Sequence, residues 1–503
     1  MLNKNTAIAC VSNLSTAYNL VVINIVHVLV QNQYCGGDKC KHEVSLASTA
    51  CLAGAIAGQL SFGFVGDALG RARGLQLTMA LSILGALASA FAVPLSPDAP
   101  SSVFYFLAIT RFVLGIGVGG VYPLSATIAS ESAGSAASRG TTASIVFSMQ
   151  GIGNLTVPLV ALALVACFGN PPDLQDNGPA DTGLAWRVAL GLGALPGILL
   201  APFKAAETSA AHSRAQTAAA ASAPAPGASD AASLDGGGEA GGSAVGAAAS
   251  PPSLTLWQAL CLRRYWGKLI GCAGGWLLFD ITFYGNQLFQ ARVLQQIFAA
   301  NATDAPIPVA GDVHSNRAIQ MLIIAAIGLP GYYMAVALMD RMGRRNMQLQ
   351  GFFFMAVTFG VLGLGLEPLQ QLPGLMLTLY GLTFFFSNFG PNSTTFILPA
   401  ETFPAHLRAT LNGFSAACGK VGATLGSAAF VPLKSAVGLG DTMLACAIVS
   451  LLGLFVTALF VEDRRGKGME GDDAPLALLR HEVGGSASGE VRADGGERDG
   501  DKM

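Results

Sequence analysis

The sequence predicts an all-α membrane protein, with twelve transmembrane helices in two six-helix bundles related by pseudo-two-fold symmetry. Three observations lead there. Of 503 residues, 52% are hydrophobic and only 12% charged, with a mean hydropathy of +0.52, whereas a soluble domain carries roughly 25% charged residues. The apolar residues fall in long runs without alternation, and about 20 such residues cross a hydrocarbon core of about 30 Å as a helix. A polar low-complexity stretch divides these runs six and six, and a short charged motif recurs at the same place in each half.

Charge is unevenly spread. From Glu462 to Met503 there are 11 acids and 7 bases, leaving 19 acids and 21 bases for the first 461 residues. That body cannot furnish a water-facing surface, so a soluble enzyme, a disordered protein and a nucleic-acid binder do not suit it. A β-barrel is disfavoured because its strands would alternate in polarity.

The six spans of the first half are expected near 6–31, 46–66, 74–95, 103–128, 140–168 and 184–203. Those of the second are expected near 266–291, 317–338, 347–366, 372–397, 411–433 and 440–461. The domains follow: 1–204, a six-helix bundle; 205–260, a disordered linker; 261–461, the second bundle; 462–503, a disordered tail. The linker and tail are rich in small and polar residues that cannot form a packed core.

Loop charges set the orientation. One set of connections carries Arg71, Arg73, Arg139, Lys204, Arg214, Arg263, Arg264, Lys268, Arg341, Arg344, Arg345 and Arg408. The alternate set carries Asp98, Asp173, Asp176, Asp181, Asp304, Asp312 and Glu367, with scattered Lys39, Lys41 and Lys434. The basic set is assigned to the cytoplasm, which puts both termini there. No cleavable signal peptide is expected. Six cysteines (Cys10, Cys51, Cys167, Cys272, Cys418, Cys446) fall inside spans as small packing residues. Cys35 and Cys40 share the first outer loop, which leaves a local disulfide open, and Asn301-Ala-Thr303 is a glycosylation sequon on an outer loop.

The recurring motif is Gly66-Asp67-Ala-Leu-Gly70-Arg71-Ala-Arg73 after the second span and Met339-Asp340-Arg341-Met-Gly343-Arg344-Arg345 after the eighth. Glycine allows a tight turn, the Asp suits a helix N-terminus, and the Arg can bridge to neighbouring helix ends. One copy is a generic basic loop; two copies, each after the second span of a half, mark an internal repeat. Asp67, Arg71, Asp340 and Arg344 are therefore candidate gating residues. No P-loop, zinc motif or nucleophile elbow occurs, so no enzyme activity, metal or cofactor is expected.

An ionised group near the bilayer centre costs at least roughly 2.5–3.5 kcal/mol, so the few within spans are informative. Asp280 is the one acid clearly in mid-span, and Trp276, Asp280 and Tyr284 share a helix face at spacings of four. Indole, carboxyl and phenol on one face suit a polar ligand; the alternative is an interhelical hydrogen bond that only fixes packing. Arg111 and Lys420 are intramembrane cations, and either can attract an anion or snorkel toward an interface. Tyr122, Gln150 and Asn392 are further polar candidates, for which packing competes with ligand contact. Two cations among neutral donors suit a small oxyanion better than a sugar or a cation.

Several strings together resemble one family. Gly119-Gly-Val-Tyr122-Pro-Leu-Ser-Ala-Thr127-Ile-Ala-Ser-Glu131 resembles the fourth-span signature of plant and fungal phosphate:proton symporters of the major facilitator superfamily. Asp280-Ile-Thr-Phe-Tyr284-Gly-Asn-Gln-Leu-Phe-Gln290 resembles their seventh span. Pro330-Gly-Tyr-Tyr, Gln348-Leu-Gln-Gly-Phe-Phe-Phe-Met355, Asn388-Phe-Gly-Pro-Asn392-Ser-Thr-Thr-Phe396 and Pro399-Ala-Glu-Thr-Phe-Pro404-Ala-His-Leu-Arg408 fit as well. The resemblance covers all twelve spans. It implies the major facilitator fold, rocking around a midplane site, and a secondary transporter of inorganic phosphate with proton as possible co-substrate. It also implies that Tyr122, Gln150, Trp276, Asp280, Tyr284 and Asn392 coordinate phosphate, with Lys420 adding positive charge. Membrane lipid is the expected surrounding and the plasma membrane the expected location.

The departures concern coupling. Where the family has an Asp before the fourth-span Tyr, this chain has Val121; where its first span reads Asp-Ala-Tyr-Asp, this chain has Thr16-Ala-Tyr18-Asn19. Thr, Asn and Val do not titrate. The resemblance places Arg111 among acids that are missing here, which leaves it to backbone carbonyls, water, the anion or a counter-ion. Asp280 and Arg111 are the residues left for proton coupling. Three couplings stay open, in this order: one proton on Asp280, an uncoupled facilitator, or another ion such as Na⁺. Transport of another small anion or a phosphate ester, and a phosphate receptor that no longer transports, are the alternative functions.

Overall fold

The computed structural model describes residues 4–35, 41–133, 138–168, 180–201, 263–288, 313–404 and 407–463, together with Ser135, Trp257, Leu260, Gln290 and Arg465. Nearly all of the proposed linker and tail, Cys40, and the Asn301 sequon lie outside the described residues. Among the described residues there are helices and no strands, and eight helical stretches are long and apolar enough to cross a membrane.

In chain order the helices are α1 (Lys4–Val21), α2 (Ile23–Cys35), α3 (Lys41–Leu69), α4 (Arg71–Ala90), α5 (Val103–Glu131), α6 (Arg139–Phe168) and α7 (Ala180–Leu192). The second half holds α8 (Trp266–Leu269), α9 (Gly275–Leu288), α10 (Val313–Met342), α11 (Arg344–Leu364), α12 (Leu366–Gln370), α13 (Pro373–Asn388), α14 (Pro391–Thr402) and α15 (Arg408–Phe460). Every expected span is matched by one or more of these helices. Leu84, Phe91, Ile109, Leu199, Phe455 and Leu459 are among many large apolar side chains left exposed. Such a surface suits lipid and not water.

The structure differs from the uniform spans expected in five places. The first span breaks between α1 and α2. The sixth turns at 193–194, where Gly193 lies against the Asn19 side chain and its carbonyl accepts from Asn19 Nδ2. The seventh contains a π-helical turn, Ile270–Gly274, between α8 and α9. The tenth breaks at Gly390, where Pro391 starts α14 at a position proline tolerates. The eleventh and twelfth spans run on as one helical stretch, α15, interrupted by Gly438 at φ 90°.

The two loop repeats fold alike. Gly70 (φ +94°) and Gly343 (φ +82°) each precede the first residue of a helix, α4 and α11. A side chain at positive φ is strained, which accounts for glycine three residues after each Asp. Within the first half, α3 and α5 approach closely through paired glycines. A Cβ on Gly54 or Gly58 would strike the α5 backbone at Phe112 and Ile116, and one on Gly115 or Gly119 the α3 backbone at Cys51 and Ala55. Small residues let membrane helices pack this tightly.

The halves meet along two related pairs, α3 against α15 and α6 against α10. At the basic-loop end the first pair is in backbone-close contact, Gly63 and Gln59 of α3 lying against Ala409 and Gly413.

Candidate functional site

Five helices converge at mid-depth between the halves. Helix α9 contributes Trp276, Asp280 and Tyr284, all buried, and packs chiefly on α15. Trp276 fits beside Gly419 of α15, where a Cβ would collide with the indole. One residue on, α15 presents Lys420, whose Nζ donates to Asp280 Oδ2 (2.9 Å) and to the Tyr284 hydroxyl (2.8 Å). The ammonium also lies 4.2 Å from the Tyr284 ring centroid and 5.4 Å from that of Tyr122. Tyr122, on α5, reaches across the interface to within hydrogen-bonding distance of Tyr284, and its ring meets the edge of Phe396 at 6.3 Å.

The break at Gly390 places Asn392 in the first turn of α14, the end of a helix that carries partial positive charge. Asn392 Nδ2 donates to the Tyr332 hydroxyl (2.9 Å) and to Asn388 Oδ1 (2.8 Å). Gln150, on α6, is buried, and its Oε1 has no partner. A cavity of about 480 Å³, mouth included, is lined by Tyr122, Gln150, Tyr284, Cys51, Asn154 and Gln287. A neighbouring space is lined by Tyr332, Asn388, Asn154 and Gln290. The structure thus brings Tyr122, Trp276, Asp280, Tyr284 and Lys420 into one cluster, with Gln150 on its cavity wall and Asn392 reached through Tyr332.

Tyr332, Asn388, Asn154 and Cys51 went unidentified as site residues from sequence. The first two lie in strings quoted for their resemblance, but nothing in a string shows that Tyr332 and Asn388 hydrogen-bond Asn392. Asn154 follows Gln150 by four residues, so helical spacing was a usable signal for it.

Both cavities lie on the side of Tyr122 away from the basic loops. On the basic side the halves are clasped twice. Asp67 accepts from the backbone N–H of Ala409 (3.3 Å) and Thr410 (2.7 Å) and from the Thr410 hydroxyl (2.8 Å). Asp340 accepts from the backbone N–H of Gly140 (3.1 Å) and Thr141 (2.8 Å) and from the Thr141 hydroxyl (2.6 Å). Each carboxylate therefore caps the first turn of a helix in the opposite half, at Arg139-Gly-Thr141 or Arg408-Ala-Thr410. Arg71 pairs with Asp67 (3.2 Å) and Glu131 (3.3 Å), and Glu131 also meets Arg408 (3.0 Å). Arg344 pairs with Asp340 (2.9 Å) and forks onto both oxygens of Glu401 (2.7 Å each). Glu131, Glu401 and Arg408 complete networks for which sequence named only the Asp and Arg.

Arg111 stands apart from the cluster. It is 1% exposed; Nη1 donates to the Asn19 backbone carbonyl (3.0 Å), while Nε and Nη2 have no partner. Asn19 donates to the Ser15 and Gly193 carbonyls. Thr16 is buried, and Val121 packs among Phe62, Leu75 and Leu124. Cys35 is disulfide-bonded; Cys40, the partner left open by the sequence, lies outside the described residues.

A model of the Major Facilitator Superfamily matches residues 40–427. The chain is similar to inorganic phosphate transporter 1-6 of Oryza sativa subsp. japonica, at 36% identity over 90% of this chain and 89% of that protein. It is similar to low affinity inorganic phosphate transporter 1 of Petunia hybrida, at 33% identity over 95% and 93%. Among solved structures it resembles the proton:xylose symporter XylE bound to 6-bromo-6-deoxy-D-glucose, with TM-score 0.66, 18% identity and coverage of 93% and 97%.

Proposed function

The chain belongs to the major facilitator superfamily and, within it, to the inorganic phosphate transporter family, whose members are transporters and not enzymes; on that premise we propose that it carries inorganic phosphate across a membrane by alternating access. The observation that carries the proposal is the buried cluster of Lys420, Asp280, Tyr284 and Tyr122 between the halves. Lys420 supplies charge for an oxyanion, Tyr122, Trp276, Tyr284, Gln150 and Asn392 supply hydrogen bonds, and the resident carboxylate admits the anion best when protonated. Proton symport then runs through Asp280.

The two bundles 1–204 and 261–461 move against each other, joined by the linker 205–260 and followed by the tail 462–503. Asp67, Arg71, Asp340 and Arg344 form the cytoplasmic gate, a reading supported by the two helix-capping clasps between the halves. The chain sits as a multi-pass protein, in the plasma membrane, with both termini cytoplasmic.

Uptake of labelled phosphate into proteoliposomes, with and without a pH gradient and Na⁺, tests the proposal. Saturable uptake driven by the proton gradient is expected. Competition by arsenate is expected to exceed that by sulfate or glycerophosphate; the reverse order points to another anion or ester as cargo. Binding without flux points to a receptor. The buried, neutral side chains Thr16, Asn19 and Val121 favour uncoupled facilitation as the second reading, and flux indifferent to pH and Na⁺ establishes it.

A further inference from the structure

Arg111 raises a question that phosphate transport by itself does not answer: what compensates a guanidinium buried this deeply. It shares a helix face with Gly115 and Gly119 at spacings of four, the face packed on α3, and the glycine contacts there bring Cys51 against Gly115. Its titratable neighbours are Tyr18 on α1, His27 on α2 and Cys51 on α3, none a carboxylate. The acids of this half whose side chains are described, Glu43, Asp67, Asp98 and Glu131, stand in end turns of helices or in a loop. No described carboxylate pairs with Arg111, and two of its three guanidinium nitrogens are unpartnered. A buried charge left so is strongly disfavoured unless something compensates it. Cys51 lines the cavity with Tyr122 and Tyr284 and lies within electrostatic reach of both Arg111 and Lys420, so the charge is felt at the cavity wall.

The charges at the site can be counted. Asp280 and Lys420 cancel as an ion pair, and Arg111, outside the cluster but one helix turn from the Gly115–Cys51 contact at the cavity wall, leaves the empty site and its surroundings at a net charge of +1. Dihydrogen phosphate, with one negative charge, neutralises it without a proton partner. Hydrogen phosphate, with two, does so once Asp280 takes one proton.

We infer that Arg111 is a resident cation that takes the electrostatic place of a transported one in the first half, so that proton traffic is confined to Asp280 and each phosphate travels with no more than one proton. The inference rests on the phosphate-transport reading. In the transported form the proton sits on the Asp280 carboxyl, enters from one side with the anion and leaves on the other as the Asp280–Lys420 pair re-forms.

The test is simultaneous measurement of phosphate and proton flux by the full chain in proteoliposomes. The expected ratio is at most one proton per phosphate, falling to zero in any residual flux of Asp280→Asn. Arg111→Gln is expected to raise the phosphate KM about tenfold or more, whereas Arg111→Lys, which keeps the charge, stays within about threefold of the parent. A ratio near two, proton movement that survives Asp280→Asn, or an Arg111→Lys as impaired as Arg111→Gln overturns the inference and leaves phosphate transport standing. Absence of any phosphate flux in the parent chain overturns both. If Arg111→Gln fails to fold, the flux ratios of the parent and Asp280→Asn decide.

Discussion

Lys420 and Asp280, 140 positions apart in the chain, meet at 2.9 Å with each side chain 2% exposed. The pair bridges α9 and α15, and the Tyr284 hydroxyl is the second acceptor of the ammonium. A buried pair of this kind is a modest source of stability when intact but severe to break on one side.

Breaking the pair gives the first prediction. Asp280→Asn or Lys420→Gln alone is expected to abolish coupled phosphate uptake and to cost about 3–5 kcal/mol of stability, because each leaves its partner uncompensated. The double variant is expected to recover most of that stability but not the uptake. Thermal melting in detergent, read beside flux, checks this, and equal melting of single and double variants would refute it.

A second prediction concerns the clasps. Asp67→Asn and Asp340→Asn each weaken charge-assisted hydrogen bonds worth about 1.5–3 kcal/mol apiece across the same end of the molecule. Each variant is expected to shift the chain toward a state open on the basic-loop side, and the double variant further. Spin-label distances between the basic-side ends of α3 and α15 should lengthen; unchanged distances in the double variant would exclude the clasp role.

The third concerns Tyr332. Its hydroxyl accepts from Asn392 at 2.9 Å, so Tyr332→Phe removes one neutral hydrogen bond, worth about 0.5–1.5 kcal/mol. The expected result is a rise in phosphate KM of roughly two- to tenfold with the proton-to-phosphate ratio unchanged. A changed ratio would place Tyr332 in proton handling instead.

The last concerns the turns. Gly70→Ala and Gly343→Ala put a side chain at φ +94° and +82° with ψ 144° and 152°, an essentially glycine-only conformation that costs about 1–3 kcal/mol. Nothing lies within 4 Å of a Cβ at Gly70, whereas one at Gly343 meets the Arg465 side chain. Both should lower the melting temperature, Gly343→Ala at least as much as Gly70→Ala. No loss at Gly70 would show that this turn relaxes freely.

Much of this was legible beforehand. Twelve spans, their division six and six and the repeat around Asp67 and Asp340 follow from hydropathy and spacing, because a bilayer admits few architectures for a chain so poor in charge. Asp280, Tyr284 and Lys420 were legible because polar groups at mid-depth are costly, and the structure brings these three side chains together. Helix breaks were less so. The break at Gly390–Pro391 fell inside a span expected to be continuous, and the turn at 193–194 and the π-helical turn at Ile270–Gly274 depend on local packing that periodicity does not record.

The sequence by itself determined that Asp280, Lys420 and Arg111 must lie inside the membrane, because each is embedded in a run long and apolar enough to span it. Only the tertiary structure decided that the first two are partners while Arg111 has no described carboxylate. It also decided that Asp67 reaches Thr410, and Asp340 Thr141, across the halves. The physical reason is the range of the interaction: desolvation acts on each residue through its own helix, whereas an ion pair or a helix cap needs contact within about 3–4 Å, and which helices approach that closely is set by packing between segments far apart in the chain.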